Sequence, residues 1–172
     1  STPEALSDVR AAFEQQDYEV HVPRLPFHFP KHELRGEPTK KLATSSLQDY
    51  VDTISDCIKS LESPPIIVGH SMGGLLAQLI AAKHPCNRLI LISSAPPAGV
   101  NGFKWSVLRT FGRNLFLFPL WKKTTTLLLK NIQYGIANSQ SATVHKEIVQ
   151  SATYESGKVT WQISMWFLFR KP

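Results

Sequence analysis

Cysteine is scarce in this sequence, with Cys57 and Cys86 the only two in 172 residues. Two such thiols make no disulfide framework. Buried or unreactive thiols are the better reading than a bridge or a metal pair, which fits a reduced, cytoplasmic setting. Long apolar runs are missing as well. The longest, residues 114–120, falls short of the roughly 18–20 residues that cross a bilayer. The first ten residues lack the basic-then-apolar layout of a secretory leader. No cluster of Cys, His and carboxylates has the spacing of a metal site. The basic residues are scattered and match no reader module, which argues against nucleic acid.

Acidic residues are missing from the second half. All five aspartates, Asp8, Asp17, Asp49, Asp52 and Asp56, precede residue 71, and only Glu147 and Glu155 follow it. Residues 1–71 carry 7 Lys/Arg against 11 Asp/Glu, a balance of −4, and residues 72–172 carry 12 against 2, a balance of +10. A basic half suits an anionic partner or a membrane surface. The preferred reading is that balancing acidic segments lie outside these residues.

What is present alternates between helical and extended patterns. Thr2-Pro3-Glu4 reads as a helix start, and Leu6, Val9 and Phe13 follow at helical spacing. Residues 18–22 alternate apolar and polar side chains as a short strand, stopped by Pro23. Residues 23–44, rich in proline, read as a long surface loop. Ser45 or Ser46 caps a helix with Gln48 or Asp49 three residues on, and its stripe is Leu47, Tyr50, Val51, Ile54, Ile58 and Leu61. Ile66-Ile67-Val68 has the β-branched character of a buried parallel strand. A helix over 75–84 and a second buried strand over 89–92 follow. Beyond residue 103 the pattern predicts helices near 105–113, 124–135, 142–153 and 159–169, without a convincing strand. The order α-β-α-β-α-β through residue 92 predicts an α/β fold, a parallel sheet with crossover helices.

Between the second strand and the third helix lies Gly69-His70-Ser71-Met72-Gly73-Gly74. Gly-x-Ser-x-Gly alone is weak and arises by chance in about one chain in twenty of this length. Its setting, after a β-branched strand and before an apolar helix, is that of a nucleophile elbow. A sharp strand-to-helix turn strains the backbone at Ser71, and small neighbours at Gly69 and Gly73 allow close approach. Gly74 removes a side chain where the helix packs on the sheet. The hydroxyl then projects at the carboxyl end of the sheet, where the Met72 N–H can serve an oxyanion. The rival readings are a glycine-rich turn in which Ser71 merely caps the helix, and a phosphate cradle. No Lys-Ser/Thr pair follows to complete the latter.

These residues resemble the α/β-hydrolase superfamily. The turn matches the elbow of its lipase and esterase branch. Leu89-Ile90-Leu91-Ile92-Ser93-Ser94-Ala95-Pro96-Pro97 resembles its next strand and the entry to its cap, and residues 103–169 resemble its helical cap. The resemblance implies residues 1–98 as a partial core holding strands four to six of the family plan (18–22, 66–68 and 89–92) and residues 99–172 as the cap or lid. It also implies a fragment lacking both ends of the domain. The family order is nucleophile, acid, then His. No acid-and-His pair in that order follows Ser71, since Glu155 has no His behind it and His145 falls in the cap. The 172 residues alone are therefore expected to be marginally stable and nearly inactive.

The expected function is that of a serine hydrolase of carboxylic esters, with Ser71 as nucleophile, Met72 N–H as oxyanion donor, and Gly69, His70, Gly73 and Gly74 forming the elbow. No cofactor is needed for this chemistry. A small-molecule ester or lipid-like substrate is the partner class. Phe103, Trp105 and Trp121 are the candidates for an apolar pocket rimmed by Arg109, Arg113, Lys122 and Lys123, against the plainer reading of core packing. Contact of that basic, aromatic segment with a membrane surface is a minor reading. The alternatives in function are a noncatalytic ligand-binding or receptor module, or thioesterase, acyltransferase or haloperoxidase chemistry at the same elbow.

Overall fold

The computed structural model describes residues 2–100, 109–110 and 118–169. The chain divides into two compact units, one made of Ser1–Ser45 with Phe103–Trp161, the other of Ser46–Gly102 with Gln162–Pro172. The helix expected near 105–113 lies largely outside the described residues.

The second unit holds a parallel sheet. Helix α3 (Leu47–Lys59) starts at a capping box, in which the Ser46 hydroxyl accepts from the Asp49 N–H at 3.2 Å and the Ser46 N–H donates to Asp49 at 2.7 Å. Two of the first-turn donors that a helix cannot satisfy internally are thus paired. Strand β1 (Ile66–His70) leads into α4 (Met72–Ala81), and β2 (Arg88–Ile92) returns parallel to β1 with Ile66 opposite Arg88 and His70 opposite Ile92. Helix α4 packs on both strands and against α3. Its buried face is Gly74, Leu75, Leu76, Ala77 and Ile80, and α3 contributes Tyr50, Val51 and Ser55. The Ser55 hydroxyl lies 2.9 Å from His84 Nε2.

The strands were expected to be buried, and they are not. Ile66, Val68, Leu89, Ile90, Leu91 and Ile92 are all exposed. This sheet has two strands among the described residues, so each is an edge, and an apolar sequence buries only what a neighbour covers. Residues 18–22 do not form the expected strand. Alternation is a local property, whereas a strand needs a ladder partner for its N–H and C=O groups; Tyr18 instead sets its ring edge-on to Phe13. The helix start at Thr2 appears as a 3-10 turn (Pro3–Leu6) leading into α1 (Ser7–Glu14), whose Leu6, Val9 and Phe13 side is exposed.

In the first unit, the predicted surface loop over 23–44 contains helix α2 (Glu37–Thr44), which buries Leu42 and Ala43. Pro38, one of the prolines behind the loop reading, sits in the first turn of this helix, where its missing N–H costs nothing. The helix predicted over 124–135 is broken up. Thr124–Thr125 (β3) pairs antiparallel with Glu155–Ser156 (β4), and a short helix α5 (Leu129–Asn131) runs into a π-turn (Ile132–Ile136). Three successive threonines lose side-chain freedom in a helix and favour extension. Helices α6 (Ala142–Ser151) and α7 (Gly157–Phe169) lie close to their predicted positions.

Polar side chains stitch this unit together. The fully buried Ser156 hydroxyl lies 3.1 Å from the Ala43 carbonyl and 2.6 Å from that of Ser45, the carbonyls that end α2, and accepts from the Val159 N–H at 3.2 Å. His28, also fully buried, has Nε2 3.1 Å from Glu155 Oε2 and Nδ1 3.1 Å from the Pro26 carbonyl, while the Thr153 hydroxyl donates to the Phe29 carbonyl at 2.6 Å.

Two outcomes follow from these contacts. Ser156→Ala strands buried helix-end carbonyls and lowers the unfolding free energy by about 1–3 kcal/mol, read by urea denaturation; an unchanged midpoint would show the hydroxyl to be dispensable. The Glu4 carboxyl is lowered from 4.5 to about 2, chiefly by the hydrogen bond from Arg24, with its backbone and Thr2 assisting. A depressed carboxyl contributes stability above its unfolded value and loses it as pH falls toward the folded one. Glu4→Gln should therefore give a small midpoint deficit near neutral pH that vanishes between about 4.5 and 2, small because the pair is exposed.

Candidate active site

The chain reverses direction at Ser71, between the end of β1 and the start of α4. Ser71 has φ 54° and ψ −121°, a positive-φ conformation that an L-residue adopts only when its surroundings impose it. Three backbone contacts do so. The Ser71 N–H donates to the Ile92 carbonyl at 3.0 Å, and the Ser71 carbonyl accepts from Ala95 N–H at 2.8 Å and from Gly74 N–H at 3.0 Å. The end of β2 therefore grips both sides of the Ser71 peptide. Ser93, between the two gripping residues, is itself at φ 44°.

Ser71 occupies the N-cap position of α4, yet its side chain makes no capping hydrogen bond. Ser46, at the same position of α3, does. The Ser71 residue is exposed, and its hydroxyl has no hydrogen-bond partner among the described residues. Met72 opens α4, so its N–H belongs to the first-turn donors without an intrahelical acceptor, at the positive end of the helix dipole. An unpaired hydroxyl and a first-turn N–H donor are thus adjacent in one turn.

Close approach explains two of the glycines. A Cβ on Gly69 would fall 2.3 Å from the Gly73 carbonyl oxygen and 2.8 Å from the Ala77 Cβ. A Cβ on Gly74 would fall 2.5 Å from Ser94 Oγ and 2.9 Å from Ser94 Cα. Gly73, expected to be small for the same reason, faces open space; its carbonyl, rather than its missing side chain, is what crowds Gly69. Gly74 meets the turn after β2, a feature its position in the sequence did not reveal.

A sequence model of the alpha/beta hydrolase family matches residues 3–159. The chain belongs to the alpha/beta hydrolase family. Among solved structures, it is similar to an extracellular alpha/beta-hydrolase from a Paenibacillus species, described as sharing structural and functional homology with tobacco Salicylic Acid Binding Protein 2. The TM-score is 0.70 at 16% identity, over 92% of this chain and 64% of that one. The chain thus spans less than two thirds of that alpha/beta-hydrolase, and the likeness shows the shared fold. No curated protein matches by sequence.

Within this alpha/beta hydrolase the elbow residues Gly69, His70, Ser71, Met72, Gly73 and Gly74 come together in one turn, with His70 exposed at the end of β1. The pocket candidates do not all have a described position. Phe103 and Trp105 lie outside the described residues, as does Arg113. Trp121 sits in the first unit, edge-on between Phe118 at 5.5 Å and Trp161 at 5.8 Å. Arg109 stacks over the Tyr134 ring at 4.2 Å, and Lys122 and Lys123 are exposed. His145 is buried, with Nε2 2.7 Å from the Ala137 carbonyl. No helix among the described residues is long and apolar enough to cross a membrane.

Two features escaped the sequence reading. One partner of Glu155 is a histidine far upstream, His28, a pairing that no local spacing signals. The hydrogen-bonded set around Ser94 was also missed, although a serine just after the strand that follows an elbow is a visible cue. The glycine geometry generates a direct test. Gly74→Ala should lower stability by about 1–3 kcal/mol through overpacking, whereas Gly73→Ala should leave the thermal midpoint near that of the parent. Equal effects of the two would contradict the geometry.

Proposed function

We propose that this protein is a serine hydrolase of carboxylic esters in which Ser71 is the nucleophile. The observation that carries the reading is the exposed Ser71 at positive φ on a strand-to-helix turn, with its hydroxyl not used as a cap. In such a position Oγ attacks an ester carbonyl while the Met72 N–H donates to the oxygen that becomes negative. Collapse of the tetrahedral species expels the alcohol and leaves an acyl-serine, which water then hydrolyses. Family membership and the fold are in keeping with this chemistry.

The mechanism needs an imidazole to take the Ser71 proton and an acid to orient it. Among the described residues no side chain is hydrogen-bonded to the Ser71 hydroxyl, so the reading assigns both roles, and the second oxyanion donor, to groups beyond those described. A small-molecule ester or lipid-like compound is the substrate class, and no cofactor enters the reaction.

A fluorophosphonate probe reacts with serines activated in this way. It should label the full-length protein at Ser71, and Ser71→Ala should abolish both the labelling and the hydrolysis of p-nitrophenyl esters. Labelling that persists in Ser71→Ala would assign the nucleophile elsewhere. A folded parent protein that never labels would favour a noncatalytic binding module on the same fold.

A further inference from the structure

We propose that Ser94 and Gln78 are positioning residues that hold Ser71 in its reactive conformation, an inference that rests on the hydrolase reading of Ser71. A residue at positive φ relaxes unless its neighbours over-determine it. At Ser71 that duty falls on the end of β2, through the Ile92 carbonyl and the Ala95 N–H. Those two groups flank Ser93 and Ser94, and Ser93 is also at positive φ. The clamp is therefore a tight turn under strain of its own, and something must fix it against α4.

The Ser94 side chain is placed to do this. Its hydroxyl donates to the Ala95 carbonyl at 2.9 Å and accepts from Gln78 Nε2 at 2.9 Å. Gln78 lies on α4, two helical turns beyond Ser71, and its Nε2 is also 3.4 Å from the Gly74 carbonyl. The bare Cα of Gly74 lets the Ser94 backbone and side chain seat directly on the helix. One hydroxyl thus links the helix that follows Ser71 to Ala95, the residue whose N–H grips it. A serine fits because its single proton and its lone pairs serve the carbonyl and the amide together. Alanine at position 94 would remove both links and leave the Gln78 amide without that acceptor. Freed, residues 93–95 can shift, and the Ala95 N–H with them. A displacement of an ångström or less at a nucleophile is enough to slow attack. Ser94 acts through Ser71 and is assigned no contact with substrate.

The test uses the full-length protein and a fluorophosphonate probe, with Ser94→Ala, Gln78→Leu and the double variant. Each single change should lower the inactivation rate at saturating probe about tenfold, without altering the half-saturating probe concentration. The double variant should be no slower than Ser94→Ala, because Gln78→Leu removes a bond that Ser94→Ala already removes. Singles that label at the parental rate, or a double variant whose loss is the product of the two, would overturn the proposal. Amide hydrogen exchange supplies the second arm. Protection of the Ser71 and Ala95 N–H groups should fall in both singles while α3 stays protected, and unchanged protection there would also overturn it. Should the parent protein not label, the hydrolase reading of Ser71 fails by itself and exchange alone decides whether the brace exists. Gln78→Leu keeps the aliphatic volume on α4 and serves if Ser94→Ala does not fold.

Discussion

The conformation of one peptide organises this structure. Ser71 turns the chain from strand to helix at positive φ, and the end of β2 holds it there by accepting from its N–H and donating to its carbonyl. The parallel register of β1 and β2 brings Ile92 opposite His70, the residue before the bend. Helix α4 then leaves the turn close enough to the sheet that Gly69 and Gly74 cannot carry a Cβ. The exposed hydroxyl, the helix-end donors beside it and the crowding beneath it are consequences of the same bend. A strained residue of this kind stores conformational energy that the surrounding packing must offset.

Each unit has a different internal physics. The unit containing the bend relies on apolar burial, with α4 presenting Leu75, Leu76, Ala77 and Ile80 to its neighbours. In the other unit the described elements are short, and short elements leave many carbonyls and N–H groups without ladder or helix partners. Buried hydroxyls and an imidazole meet that demand. Ser156 serves the end of α2 and the start of α7, Thr153 serves the Phe29 carbonyl, and His28 stands between the Pro26 carbonyl and Glu155. Such networks stabilise a fold only when every member is satisfied, so this unit is sensitive to single polar substitutions that the apolar unit would absorb.

Much of the bend was legible in the sequence, because its causes are local. A β-branched tripeptide, two glycines flanking a serine, and a following apolar helix are adjacent in the chain and describe one strand-turn-helix unit. A capping box at Ser45 or Ser46 and the approximate limits of α6 and α7 were legible for the same reason, and the structure places the cap at Ser46. Where local pattern misled, a non-local partner decided. Residues 18–22 alternate as a strand should, but they have no ladder partner among the described residues. Residues 23–44 look like a proline-rich loop, yet burial of Leu42 and Ala43 favours a helix over Glu37–Thr44 with Pro38 in its first turn.

From residue order alone came the assignment of the turn and its candidate nucleophile, which depend on residues adjacent in the chain, and the parallel α/β architecture, which follows from alternating strand and helix patterns. Tertiary structure alone decided which glycine is crowded by what, that Ser94 and Gln78 meet across α4 and β2, and that Glu155 pairs with His28, 127 positions away. The physical reason is that a hydrogen bond or a steric contact depends on distance in space, and composition or spacing can specify that distance only where the backbone between the partners is itself regular.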